Sequence, residues 1–133
     1  MPASRVALSN PTALWPPTGY SHVAEVRGGK LVFVAGQVAF DSKGAVVGVG
    51  DYRAQAEQVF RNLQSALQSA GATFRDVVKL GFYVLDVAHL PEVREVRDRY
   101  IDREHPPTST AVQVVRLVRP EFLLEVDAVA SVE

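Results

Sequence analysis

Leu124-Glu125-Val126-Asp127-Ala128-Val129-Ala130 is the stretch on which the fold turns. Successive residues of a strand point to opposite faces, so Leu124, Val126, Ala128 and Ala130 share one face, while Leu123, Glu125, Asp127 and Val129 share the other. The first face is wholly apolar and belongs against a helix-covered core. The second carries two carboxylates, and a carboxylate taken out of water must be hydrogen-bonded, paired or in use. Upstream, Pro107-Thr108-Ser109-Thr110-Ala111-Val112-Gln113-Val114-Val115-Arg116-Leu117 reads as a second strand from Thr110 to Leu117, with Ser109, Thr110 and Gln113 where a plain core would be apolar.

Working outward, Asp76 to Leu85 is apolar on both alternating sets (Val78, Leu80, Phe82, Val84 against Val77, Tyr83, Leu85), so both faces of that strand are expected to be covered. Ala56, Val59, Phe60, Leu63, Leu67 and Ala70 fall at helical spacing after Asp51, whose carboxylate suits an N-cap, and Gly71 supplies a left-handed stop. Leu90, Val93, Val96, Arg97 and Tyr100 mark a second helix, with Pro91 in its first turn, where the missing N–H costs nothing. Near the start, Arg5 to Ser9, His22 to Val26 and Lys30 to Ala35 are strand-like; Gly28-Gly29 suits a hairpin between the last two, and Ala45 to Val49 is an open strand candidate. The order β-β-β-α-β-α-β-β predicts one α+β domain over residues 1–133, two helices on one face of a mixed sheet, with residues 1–19 an irregular leading segment containing one short strand.

Composition narrows the function. A net charge of -1 over 133 residues, with no basic stripe, gives a nucleic acid nothing to follow, so no nucleic-acid partner is expected. No run approaches a membrane span and Met1 to Ser9 lacks an apolar stretch of secretory length, so the expectation is a cytoplasmic chain with no membrane partner. The absence of cysteine removes disulfides and thiolate chemistry, and no two of the 3 histidines have ligand spacing, so no metal is expected. There is no phosphate loop, dinucleotide fingerprint or nucleophile elbow, hence no cofactor.

Taken with Phe33-Val34-Ala35-Gly36-Gln37-Val38, the helix pattern Gln55, Gln58, Asn62 and Ala70-Gly71-Ala72-Thr73, the two closing strands resemble the Rid family (reactive intermediate deaminase, also called YjgF or endoribonuclease L-PSP) from about Tyr20 to the C-terminus. That resemblance implies a chorismate mutase-like fold, assembled as a homotrimer whose sheets form a central barrel, with a small-molecule site in clefts between subunits. It also implies hydrolytic deamination of small imines or enamines, with Glu125 matching the glutamate that positions the attacking water. At the position where deaminating members carry a carboxylate-gripping arginine, this chain has Ser109. A hydroxyl offers one donor and no charge where a guanidinium offers a charged planar fork, so weak action on simple 2-imino acids is expected.

The expected catalytic residue is Glu125, and Ser109, Thr110, Tyr20, His22, Gly36 and Gln37 are the expected substrate-binding residues. Each has a plainer reading beside it. Asp127 serves better as a structural partner; His22 is either a cleft residue able to donate or accept a proton or an exposed hairpin histidine; Gly36 and Gln37 end a strand where glycine permits close approach; Thr110 suits a strand through β-propensity alone. Gln55, Gln58 and Asn62 read as structural, and His89 and His105 as surface. A non-catalytic trimer that binds a metabolite in the same cleft is the alternative function, and ribonuclease activity is a weaker third that the charge balance opposes.

Overall fold

The computed structural model of the chain describes residues 5–133; residues 1–4 of the leading segment lie outside the described residues. In chain order the elements are β1 (Val6–Ser9), β2 (Val23–Val26), β3 (Lys30–Gln37), α1 (Tyr52–Ser69), β4 (Val77–Val84), α2 (Leu90–Arg97), β5 (Thr108–Gln113) and β6 (Leu124–Val132), with 3-10 turns at Phe74–Asp76 and Val87–His89. Four strands form one mixed sheet in the order β3-β6-β4-β5, in which β4 and β5 run parallel and the other neighbours antiparallel. β6 lies inside the sheet with a partner on each side, so its alternation sets the two faces for β3 and β4 as well.

The apolar face of β6 is buried against the helices as its pattern predicts. Leu124, Val126, Ala128 and Ala130 join Val34 of β3 and Leu80, Phe82 and Val84 of β4, and α1 covers them with Ala56, Val59, Phe60, Leu63 and Leu67. Fully burying each larger side chain contributes roughly 1.5–3 kcal/mol, so this layer dominates the favourable terms. The ends of α1 follow local chemistry. The Asp51 carboxylate accepts the Ala54 N–H at 3.1 Å, and Gly71, at φ 75, takes the left-handed conformation just past the C-cap Ala70. α2 begins with Pro91 in its first turn and stops at Arg97, short of the apolar periodicity; Tyr100 packs from the following turn, its ring 5.3 Å from both Phe60 and Phe74.

Four local expectations differ from the structure. β5 covers Thr108–Gln113 and leaves Val114 to Leu117, expected to continue the strand from Thr110, outside it. Gly28-Gly29 does not join a hairpin, since β2 pairs with β1 and β3 pairs with β6. Both glycines have positive φ, and a Cβ on Gly29 would stand 2.6 Å from the Val132 carbonyl oxygen, so close packing against the end of β6 is what demands glycine there. Ala45 to Val49 makes a single bridge, Phe40 to Val46, and no strand. In β4 a register shift between Val77 and Lys79 turns Val77 inward to the core cluster and leaves Lys79 exposed, so the face away from the helices is less apolar than strict alternation predicts. That open face carries Leu31 and Phe33, 52% and 74% exposed, beside Val129, Tyr83, Glu125 and Asp127.

β1 and β2 form a separate ribbon tied to the main sheet at both ends. Ser21, just before β2, bridges Thr108 of β5, while Arg5 bonds the Ser131 hydroxyl at 3.1 Å and its carbonyl at 2.7 Å. The ribbon thereby brings Trp15, Tyr20 and His22 to the β5 edge.

Candidate active site

Glu125 and Asp127 each lie across a glycine of the neighbouring strand. A Cβ on Gly36 of β3 would overlap the Glu125 carboxylate, and a Cβ on Gly81 of β4 would overlap that of Asp127. Glycine at these two places opens the room in which the carboxylates lie down on the sheet. Their partners differ. Asp127 accepts the Tyr83 hydroxyl at 3.0 Å, a bond that also raises the phenol's pKa, so Asp127 has a hydrogen-bond partner within its own chain. Among the described residues none donates a hydrogen bond to Glu125. Burial first, and the nearby Asp127 charge second, push its carboxyl above the ordinary carboxylate range. A half-buried carboxylate that resists losing its proton and has no structural partner is suited to exchange protons with water or a ligand.

Strand register decides which other residues share this face. Thr110 pairs with Gly81, which pairs with Asp127, so Thr110 stands on the open face with the carboxylates. Ser109 pairs with Leu80, whose side chain is in the core, so Ser109 points to the helix side. Within one chain, therefore, Ser109 and Glu125 are not brought together. Gln37 pairs with Val126 and bends its amide back to the Ala35 carbonyl at 3.1 Å, which leaves it a local role at the end of β3.

Tyr20 and His22 form a cluster with Trp15. The indole N–H donates to the Tyr20 hydroxyl at 2.8 Å, and His22 Nε2 lies 2.8 Å from the Trp15 carbonyl, which can only accept, so Nε2 carries the proton. The His22 ring meets Trp15 and Tyr20 edge-on, with centroids 4.7 and 5.4 Å away. The cluster borders two hollows flanking β5. One, of about 470 Å³, is lined by Trp15, Tyr20, His22, Lys79, Ser109 and Thr110. The other, of about 250 Å³, lies on the helix side and is lined by Thr18, Tyr20, Arg94, Arg97, Ser109 and Ala111. His22 thus lines a hollow beside β5 and is hydrogen-bonded to Asn10 and Trp15 of the leading segment.

Sequence reasoning missed Trp15, Arg94 and Arg97 as lining of these hollows, and Gly81 and Tyr83 as the neighbours of Asp127. The signals were present: a glycine inside an apolar strand, and two arginines three apart on a short helix whose other face is core. The glutamines of α1 do structural work. Gln55 is fully buried, donating to the Gly48 and Glu121 carbonyls and accepting the Leu123 N–H at 2.9 Å; Asn62 donates to the Val38 and Phe40 carbonyls and accepts from Gln58. His89 stacks flat on Tyr52 at 4.1 Å, and His105 is exposed. Among the described residues no group of three or more His, Asp or Glu side chains could hold a metal, and no helix is long and apolar enough to cross a membrane.

The family model described as Endoribonuclease L-PSP matches residues 11–132. A RutC family protein of Pyrococcus abyssi is 35% identical over 114 residues, which cover 86% of this chain and 87% of that protein. A 2-iminobutanoate/2-iminopropanoate deaminase of Dermatophagoides farinae is 26% identical over 126 residues, 95% of each chain. Among solved structures, a conserved Rid family protein of unknown function from Yersinia pestis superposes with a TM-score of 0.86 at 34% identity, covering 97% of this chain and 100% of that one. The α+β layout of this chain is the chorismate mutase-like fold of these neighbours.

Proposed function

This chain belongs to the endoribonuclease L-PSP family, also called Rid or YjgF, and on that premise we propose that it is a Rid-like hydrolase of a small imine, enamine or related carbon–nitrogen compound. The observation that carries this reading is Glu125, a half-buried carboxylate with a raised pKa and no described hydrogen-bond donor, laid into space that Gly36 leaves open. The name borne by the mite relative supports the reaction class.

Glu125 acts as the base. Its carboxylate takes a proton from water as the water oxygen bonds to the imine carbon and the C=N π pair moves to nitrogen, and it passes that proton to the nitrogen to give a carbinolamine. Glu125 then takes the carbinolamine hydroxyl proton as the C=O bond forms and the C–N bond breaks, and delivers it to the leaving nitrogen, which departs as ammonia. Net, one imine and one water become one carbonyl and one ammonia. Tyr20, His22, Thr110 and Ser109 line the hollows along β5 where the rest of the substrate lies. Because Ser109 and Glu125 face opposite sides of the sheet in one chain, the complete site forms in a homotrimer, where the open face of one copy meets the β5 edge of the next. Exposed Leu31 and Phe33 on that open face support such an assembly.

A second reading, a trimer that binds a metabolite without turning it over, is favoured by one observation: the hydroxyl of Ser109 where deaminating relatives have a charged fork. The two separate on Glu125→Gln. With freshly generated 2-iminopropanoate as substrate, loss of the base should lower turnover about 10²–10⁴-fold with the fold intact. Wild-type protein that does not accelerate ammonia release, yet binds the carboxylate product, would establish the binding reading instead.

A further inference from the structure

We propose that Arg94 and Arg97 of α2 form an anion clamp beside Ser109, and that the ligand they take is an organic carboxylate with a planar, aromatic body. Ser109 is directed to the helix side of β5, and both arginines line the same 250 Å³ hollow. Arg94 is exposed, and no described residue makes an ion pair or side-chain hydrogen bond with it. Arg97 is 8% exposed and already oriented: Asp98 accepts from its Nε at 3.0 Å and its Nη2 at 2.8 Å, leaving Nη1 without a described partner. Gly19 gives this guanidinium room, since a Cβ there would stand 3.0 Å from Nη2.

One complete guanidinium fork, one further N–H and the Ser109 hydroxyl match the two oxygens of a carboxylate. The hollow opens into a groove of about 590 Å³ that shares Thr18, Tyr20, Arg94 and Arg97 with it and adds Trp15, Ile101 and Arg103. Three arginines against the single Asp98 make this groove cationic in a chain of net charge -1, which attracts an anion to this place in particular. Its size exceeds what a two- or three-carbon acid fills, and the Trp15 and Tyr20 rings offer flat surface for the rest of the ligand. The charged grip that a β5 arginine would supply comes instead from α2. Taking the bound carboxylate to be the substrate's own rests on the function proposed above; the binding itself does not.

The test is calorimetric titration of the full-length protein with 3-phenyllactate and with its neutral amide, alongside fluorescence of Trp15, the sole tryptophan. Wild type should bind the acid and prefer it to the amide. Arg94→Gln, at an exposed position that does not threaten folding, should weaken the acid about ten- to a hundred-fold, as expected for a charge-assisted contact, and leave the amide unchanged. Arg116→Gln should alter neither. Equal binding of acid and amide by wild type, undiminished acid binding by Arg94→Gln, or loss of acid binding on Arg116→Gln would each overturn the clamp. Acid binding should also survive Glu125→Gln. A variant set in which Glu125→Gln abolishes turnover while Arg94→Gln changes nothing removes the clamp alone, whereas Arg94-dependent binding without Glu125-dependent turnover removes the hydrolase alone.

Discussion

A carboxylate laid over a glycine depends on that glycine as much as on its own chemistry. Gly36→Ala places a methyl where Glu125 lies, so the carboxylate must swing away. Turnover should then fall toward the Glu125→Gln level, and stability should drop by roughly 1–3 kcal/mol through overpacking. Adding Glu125→Ala to Gly36→Ala should restore stability without restoring turnover, a coupling that denaturant titration of the three variants measures directly. The pH dependence follows from the raised carboxyl of Glu125. Below the ordinary carboxyl range the group is protonated in both folded and unfolded chains; as pH rises through the raised folded value, the folded state alone resists ionisation, so its stability falls. Glu125→Gln should therefore melt like the parent in acid and at least as high at neutral pH, and a lower melting point at neutral pH would mark the carboxylate as structural. Activity should run the other way, increasing with pH through the same window as the base form appears.

At the scale of elements, the polar residues of α1 hold it to the segments around the sheet. Gln55 ties α1 to the turn before it at Gly48 and to the lead-in to β6 at Glu121 and Leu123. Gln55→Leu keeps volume but strands the Leu123 N–H and two carbonyls in the interior, which should cost roughly 2–4 kcal/mol in chemical denaturation. A loss under about 1 kcal/mol would mean that water replaces the amide. The glutamine was placed correctly on the helix by sequence, and its class was readable as structural. Its partners were not, because two of the three are main-chain groups 66 and 68 residues away, and periodicity reports faces rather than tertiary neighbours.

For the whole molecule, the open face of the sheet is the unfinished part. Leu31 and Phe33 stand exposed beside half-buried Val129 and the carboxylates, and β5 presents an unpaired edge beyond its bridge to Ser21. Light scattering should return a trimer at micromolar concentration, and Phe33→Asp should shift it toward monomer by burying a charge in the interface. A wild-type monomer that stays stable at that concentration would remove the inter-subunit site and leave each hollow to act alone.

The amino-acid sequence by itself determined the element order, the inward face of β6, the position and ends of α1 and the family, because each rests on short-range periodicity, capping chemistry or motif order. Tertiary structure alone decided that β3 pairs with β6 rather than β2, that a bulge turns Val77 inward, and that Ser109 and Glu125 stand on opposite faces of one sheet. Those outcomes depend on which strand pairs with which, and in what register. Many pairings satisfy the same alternation, and packing of the whole chain selects among them. The two arginines of α2 were visible as letters three apart, but only the packing of α2 beside β5 set them next to Ser109.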